Sequence, residues 1–97
     1  MIRHVVIMKF APECTTEQHS HMLAMLRALE QEVDVVRALT VGAHVLSTSP
    51  VPDLALLVDL DDRDDLATYT THPYHLSVGA YFASIKDSAA IVDLELP

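Results

Sequence analysis

Glycine occurs only twice among the 97 residues, cysteine once, tryptophan never, and lysine and arginine together only six times. Each scarcity excludes something. With so little glycine and half the chain hydrophobic, a disordered or low-complexity protein is ruled out. The single cysteine, Cys14 in "APECTTEQ", cannot form an internal disulfide and has no second cysteine to complete a zinc motif. No Lys, Arg or His stands beside it to activate the thiol, so it is read as a bystander. Six basic residues against fourteen acidic ones leave a net charge of −8 with neutral histidines. Such a surface repels phosphate backbones and anionic bilayers, so neither nucleic acid nor membrane is expected as a partner. Long apolar runs are missing as well. "LALLV" and "MLAML" fall far short of the roughly 18 residues that a membrane span needs. The opening "MIRHVVIMKF" contains no small-residue cleavage site, and a cytoplasmic location is expected.

What is present fits one domain, residues 1–97, with a single core. The first segment alternates: Ile2, His4, Val6, Met8 and Phe10 point one way, Arg3, Val5, Ile7 and Lys9 the other, the period of a strand that Pro12 ends. Thr15 and Gln18 have the spacing of a capping box. Met22, Leu26, Leu29 and Val33 then recur at helical spacing, predicting a helix of about 17 residues. "VVRALTVGAHVLS" reads as a strand, "TSPVP" as a turn and "DLALLVDL" as the next strand. Asp61, Asp62, Asp64 and Asp65 crowd the start of a second helix, where the macrodipole favours negative charge; they are read as a solvated helix start rather than a metal site. Pro73 cannot continue that helix but can begin another, on which His75, Val78, Gly79, Phe82 and Ile85 share a face. "AAIVDLEL" closes the chain as a fourth strand. The order β-α-β-β-α-β predicts an α+β, ferredoxin-like fold: a four-stranded antiparallel sheet with helices on one face.

Both faces of that sheet are apolar. Val6 and Met8 oppose Val5 and Ile7; Leu54, Leu56 and Val58 oppose Ala55 and Leu57; Val92 and Leu94 oppose Ile91. Two helices hide one set only. Leaving four or five large side chains in water forgoes about 1.5–3 kcal/mol each. A partner is therefore expected on the second sheet face, most simply a second copy about a two-fold axis, closing a dimeric α+β barrel.

The stretch "YTTHPYH", residues 69–75, concentrates rings and histidines at the broken helix. His75 as general base and Tyr69 as hydroxyl donor to a developing enolate would suit proton abstraction beside a carbonyl followed by carbon–carbon bond formation. His4 lies among apolar neighbours and is a further base candidate. Val6, Met8, Met22, Leu26, Leu56, Val58, Leu66, Val78, Gly79 and Phe82 are the candidate apolar walls, with Gly79 leaving room for a ligand near the backbone. The alternative is structural: Tyr69 and His75 close the kink and bond each other or nearby carbonyls. His72 reads as a cap or packing residue, His19 and His21 as surface residues, and His44 can face either way. A metal held by His4, His72 and His75 is disfavoured, because Pro73 disrupts the spacing and no carboxylate is near in sequence; neither metal nor cofactor is expected.

"MIRHVVIMKF", "VGAHVL", "DLALLVDLDDRDDLATYTTHPYH" and "IVDLEL" together resemble the stress-responsive A/B barrel domain (Dabb) family of dimeric α+β barrels, over essentially the whole chain. The resemblance implies a homodimer with an apolar pocket between sheet and helices in each protomer. One plant member, olivetolic acid cyclase, implies a cofactor-free polyketide cyclase closing a linear poly-β-ketide by intramolecular aldol condensation. Its helix tyrosine and histidine match Tyr69 and His75, and its first-strand histidine matches His4. Leu54 stands where that cyclase has a further pocket histidine. Three expectations follow: a cyclase or isomerase acting on a ketide-like or phenolic substrate, a non-catalytic binder of a small apolar ligand, and a stress-associated structural dimer.

Overall fold

The computed structural model describes residues 1–97 as β1 (Ile2–Phe10), α1 (Thr16–Glu32), β2 (Ala38–Ala43), β3 (Leu54–Leu60), α2 (Arg63–Thr71), α3 (Pro73–Ile85) and β4 (Lys86–Glu95). The sheet order is β2-β3-β1-β4 with every pair antiparallel, and the helices cover one face. This is the ferredoxin-like β-α-β-β-α-β arrangement, with its second helix split at His72.

Local chemistry sets the helix boundaries. The Gln18 N–H donates to Thr15 Oγ1 at 3.1 Å and the Thr15 N–H to Gln18 Oε1 at 2.9 Å, so two of the orphan donors at the start of α1 are satisfied. Asp62 caps α2 by accepting from the Asp65 N–H at 2.9 Å. His72 caps α3 by accepting from the Tyr74 N–H on Nδ1 at 3.0 Å, and Pro73 follows at the first helical position. The apolar stripe of α1, Met22, Leu26, Leu29 and Val33, is completely buried against the sheet.

Strand β2 is shorter than the apolar pattern predicts. It ends at Ala43, after which the His44 N–H donates to the Asp53 carbonyl at 2.8 Å and His44 Nδ1 accepts from the Leu46 N–H at 3.1 Å. The first bond is a last rung to β3 and the second turns the chain, leaving Val45 and Leu46 in solvent. His19 also departs from a plain surface role. Its Nε2–H donates to the Pro52 carbonyl at 3.0 Å and its ring meets Phe10 edge-on, tying α1 to the loop before β3.

The register places rows of side chains on the uncovered sheet face. Gly42, Ala55, Ile7 and Ala90 form one row, Thr40, Leu57, Val5 and Val92 the next. Ion pairs frame this apolar panel: Arg3 with Asp59 at 2.8 Å toward one end and Lys9 with Asp53 at 4.0 Å toward the other. Val92 is 54% exposed, Leu94 41% and Ile7 40%, the unsheltered second face that strand alternation predicts.

Candidate functional site

A cavity of ≈ 300 Å³ lies between the helices and the sheet, on the side of β1 that faces β4. From β1 it takes His4, Val6 and Met8; from α1, Met22, Leu26 and Leu29; from β3, Leu56. The split helix adds Tyr69, Thr70, His75, Val78, Gly79 and Phe82, and β4 adds Ala89, Ile91 and Asp93. Two of the expected wall residues do not line it. Val58 is the register partner of His4 on β3, the far side of β1 from β4, and is fully buried in the core. Leu66 packs half-buried against that core, and Tyr69, one turn later, takes the cavity position on α2. Leu54 is also outside the cavity. His44 is exposed on a separate hollow, and His72 is occupied as a cap. No group of three or more His, Cys, Asp and Glu side chains is placed to hold a metal ion.

The break at His72–Pro73 sets two rings side by side. The Tyr69 and His75 ring centroids are 4.6 Å apart, and His4 meets Tyr69 edge-on at 5.4 Å. Three polar rings therefore share one end of a mainly apolar space.

Hydrogen bonds fix how those rings are protonated. His75 Nδ1 is 3.0 Å from the Thr70 carbonyl, which can only accept, so Nδ1 carries the proton and Nε2 the lone pair. His4 Nδ1 donates to Asp93 Oδ1 at 2.5 Å, a bond that in the neutral ring leaves the lone pair on Nε2. The Tyr69 hydroxyl is buried and has no hydrogen-bond partner among the protein's own groups. An orphaned hydroxyl of this kind costs about 1–3 kcal/mol.

Burial tunes two of the groups. Desolvation lowers the His75 pKa below 6.5, against a smaller raising effect from the Thr70 carbonyl and with further lowering from His4 and His72; the imidazole is therefore neutral at pH 7. Desolvation pushes the Tyr69 phenol well above its ordinary value, so it remains an O–H donor and does not ionise near neutrality. A neutral imidazole lone pair beside a neutral phenol donor can take a proton from carbon and hydrogen-bond the oxygen that becomes negative.

The sequence reading missed Asp93. Its signal was the alternation of the last strand: Ile91 and Asp93 share a face, and antiparallel pairing with β1 sets Asp93 opposite His4.

The chain matches the family model of the Stress responsive A/B Barrel Domain over residues 2–96. It belongs to the Dabb family. Solved structures with the same fold include a dimeric ferredoxin-like protein of unknown function from Thermobifida fusca YX, 24% identical with a TM-score of 0.85 over 98% of this chain and 90% of that one. A dimeric protein of unknown function and ferredoxin-like fold from Bacteroides fragilis NCTC 9343 is 28% identical with a TM-score of 0.79, over 98% of this Dabb chain and 95% of that one. A hydroxynitrile lyase from Passiflora edulis is 12% identical with a TM-score of 0.85, over 99% and 93% of the two chains. No curated protein matches significantly. No helix of this Dabb protein is long and apolar enough to cross a membrane.

Proposed function

We propose that this Dabb protein is a homodimeric, cofactor-independent cyclase or isomerase that removes a proton beside a carbonyl in a small ketide-like or phenolic substrate. The observation that carries the reading is the unpartnered, fully buried Tyr69 hydroxyl 4.6 Å, ring to ring, from a histidine whose lone pair is free. Proteins tolerate an orphaned buried hydroxyl where a ligand supplies its partner.

The reaction runs as a balanced aldol step. His75 Nε2 takes the proton from the carbon between two carbonyls, and the enolate oxygen accepts a hydrogen bond from Tyr69. The enolate carbon attacks a second carbonyl carbon of the same molecule, forming the ring bond. The new alkoxide recovers the proton from His75 Nε2–H. His4, its tautomer set by Asp93, offers a second lone pair at the same end of the cavity. The apolar lining folds the chain so that the two reacting carbons meet. The fold hosts an enzyme in at least one similar structure, the Passiflora edulis hydroxynitrile lyase.

The apolar panel on the outer sheet face supports the homodimer, as does the dimeric description of the Thermobifida and Bacteroides structures. A second reading, a non-catalytic binder of a small apolar ligand, is favoured by the predominance of hydrocarbon in the cavity lining. Incubating the protein with a panel of linear poly-β-keto thioesters separates the two. Ring-closed product from wild type and none from Tyr69→Phe supports the enzyme. Retained affinity without conversion of any compound supports the binder.

A further inference from the structure

Both glycines of the chain lie inside regular elements, Gly42 in β2 and Gly79 in α3, and neither has a positive φ. Gly79 is therefore not required by backbone conformation, and alanine would suit the middle of a 13-residue helix better. Nor is it required by packing: a Cβ built at Gly79 meets no atom within 4 Å. All that the missing side chain provides is empty space, at a position that both lines the cavity and is exposed to solvent.

Two elements, α3 and β4, flank this opening. Along α3, His75, Gly79 and Phe82 follow one another at helical spacing on the cavity side. Across from them stand Ala89, Ile91 and Asp93 of β4. Ile91 points to the same sheet side as the helices yet is 60% exposed, so a slot runs between α3 and β4 that is apolar at Gly79, Phe82, Ala89 and Ile91. Gly79 follows His75 by one helical turn, about 6 Å.

We propose that Gly79 keeps this slot open and so sets how long an apolar tail the site accepts, for a ligand whose head is an uncharged carbonyl or phenol. The head is uncharged because no Lys or Arg lines the cavity, while the Asp93 carboxylate does. A phenol or carbonyl oxygen satisfies the Tyr69 hydroxyl; a phenol can in addition donate to His75 Nε2. The tail then crosses Gly79 toward Phe82 and Ile91. This inference rests on the site proposed at Tyr69 and His75 and adds the class of molecule that fills it.

The test uses para-alkylphenols, from para-cresol to para-heptylphenol, titrated calorimetrically into the full-length protein. Wild type is expected to gain up to about fourfold in affinity for each methylene buried. Gly79→Ala is expected to melt about 4–8 °C higher, since helix propensity improves with no clash, while binding para-heptylphenol about tenfold more weakly and para-cresol unchanged. Gly79→Leu is expected to lose the dependence on tail length altogether. An unaltered tail-length dependence in Gly79→Leu, or an equal loss of para-cresol in both variants, overturns the inference. So does conversion of Gly79→Leu to a monomer by sedimentation, which would assign the slot to a partner subunit. Wild type that binds para-cresol but gains nothing from longer tails overturns this inference alone. Wild type that binds none of the series overturns it together with the proposed head-group site.

Discussion

His4 and Asp93 stand opposite each other on the paired strands β1 and β4, 89 residues apart in sequence and 2.5 Å apart between Nδ1 and Oδ1. His4 is buried and Asp93 is at the cavity rim, so one ladder rung sets the tautomer of an interior imidazole from a half-exposed carboxylate. Asp93→Asn removes the charge and allows the amide N–H₂ to face the ring, favouring the opposite tautomer. A hydrogen bond to a charged group contributes about 1.5–3 kcal/mol, so turnover is expected to fall roughly 10–100-fold with KM little changed. The ¹⁵N shifts of His4 report the tautomer directly; wild-type shifts in Asp93→Asn would refute the positioning role.

The Tyr69 hydroxyl gives function and stability opposite signs. Tyr69→Phe deletes a buried donor with no partner and is expected to raise the stability of the ligand-free protein by about 1 kcal/mol, while abolishing conversion. Urea denaturation beside a turnover assay checks both at once. A destabilised Tyr69→Phe would mean that the hydroxyl has a partner in the free protein.

The depressed pKa of His75 has a calculable pH signature. Below 6.5 the unfolded imidazole holds a proton that the folded one does not take until a lower pH. The unfolded state therefore binds more protons within that window. Stability contributed by His75 is complete above about pH 6.5 and is lost as pH falls from there through the folded value. The same shift keeps the base form available under mild acidity, so the acid limb of kcat/KM is expected below pH 6.5. A pH–rate profile with its limb at or above 6.5 would contradict the burial of this base.

The outer face of the sheet carries its own test. Val92 lies at the β4 edge of the apolar panel, in register with Val5 and 54% exposed. Val92→Asp would bury an unpaired carboxylate in any interface formed there. Wild type is expected to sediment as a dimer at micromolar concentration, and Val92→Asp as a monomer.

Much of the fold is legible in the sequence because each element announces itself with local chemistry. The alternation of residues 2–10, the Thr15 and Gln18 capping box and the Pro73 break all depend on neighbours within four positions, and all lie where the spacing predicts. Family membership was legible in the same segments, and the family model covers residues 2–96. What depends on distant pairing is harder to read. The end of β2 near Ala43 goes with the local turn in which His44 Nδ1 accepts from the Leu46 N–H, which no apolar pattern encodes. Val58 and Leu66 have the chemistry of cavity walls, but the cavity opens toward β4, and only the strand order decides that. Asp93 was hidden for the same reason: its importance comes from the residue opposite, not from its neighbours in sequence.

The role of His75 as base is tested most directly by the single-turnover rate of ring closure by His75→Gln at pH 7, on whichever poly-β-keto thioester wild type converts. Glutamine keeps a polar side chain near the size of imidazole but has no basic lone pair. A rate lower by about 10²–10⁴, with affinity retained, is expected. An unchanged rate would show that the proton leaves by another route and that His75 is not the base.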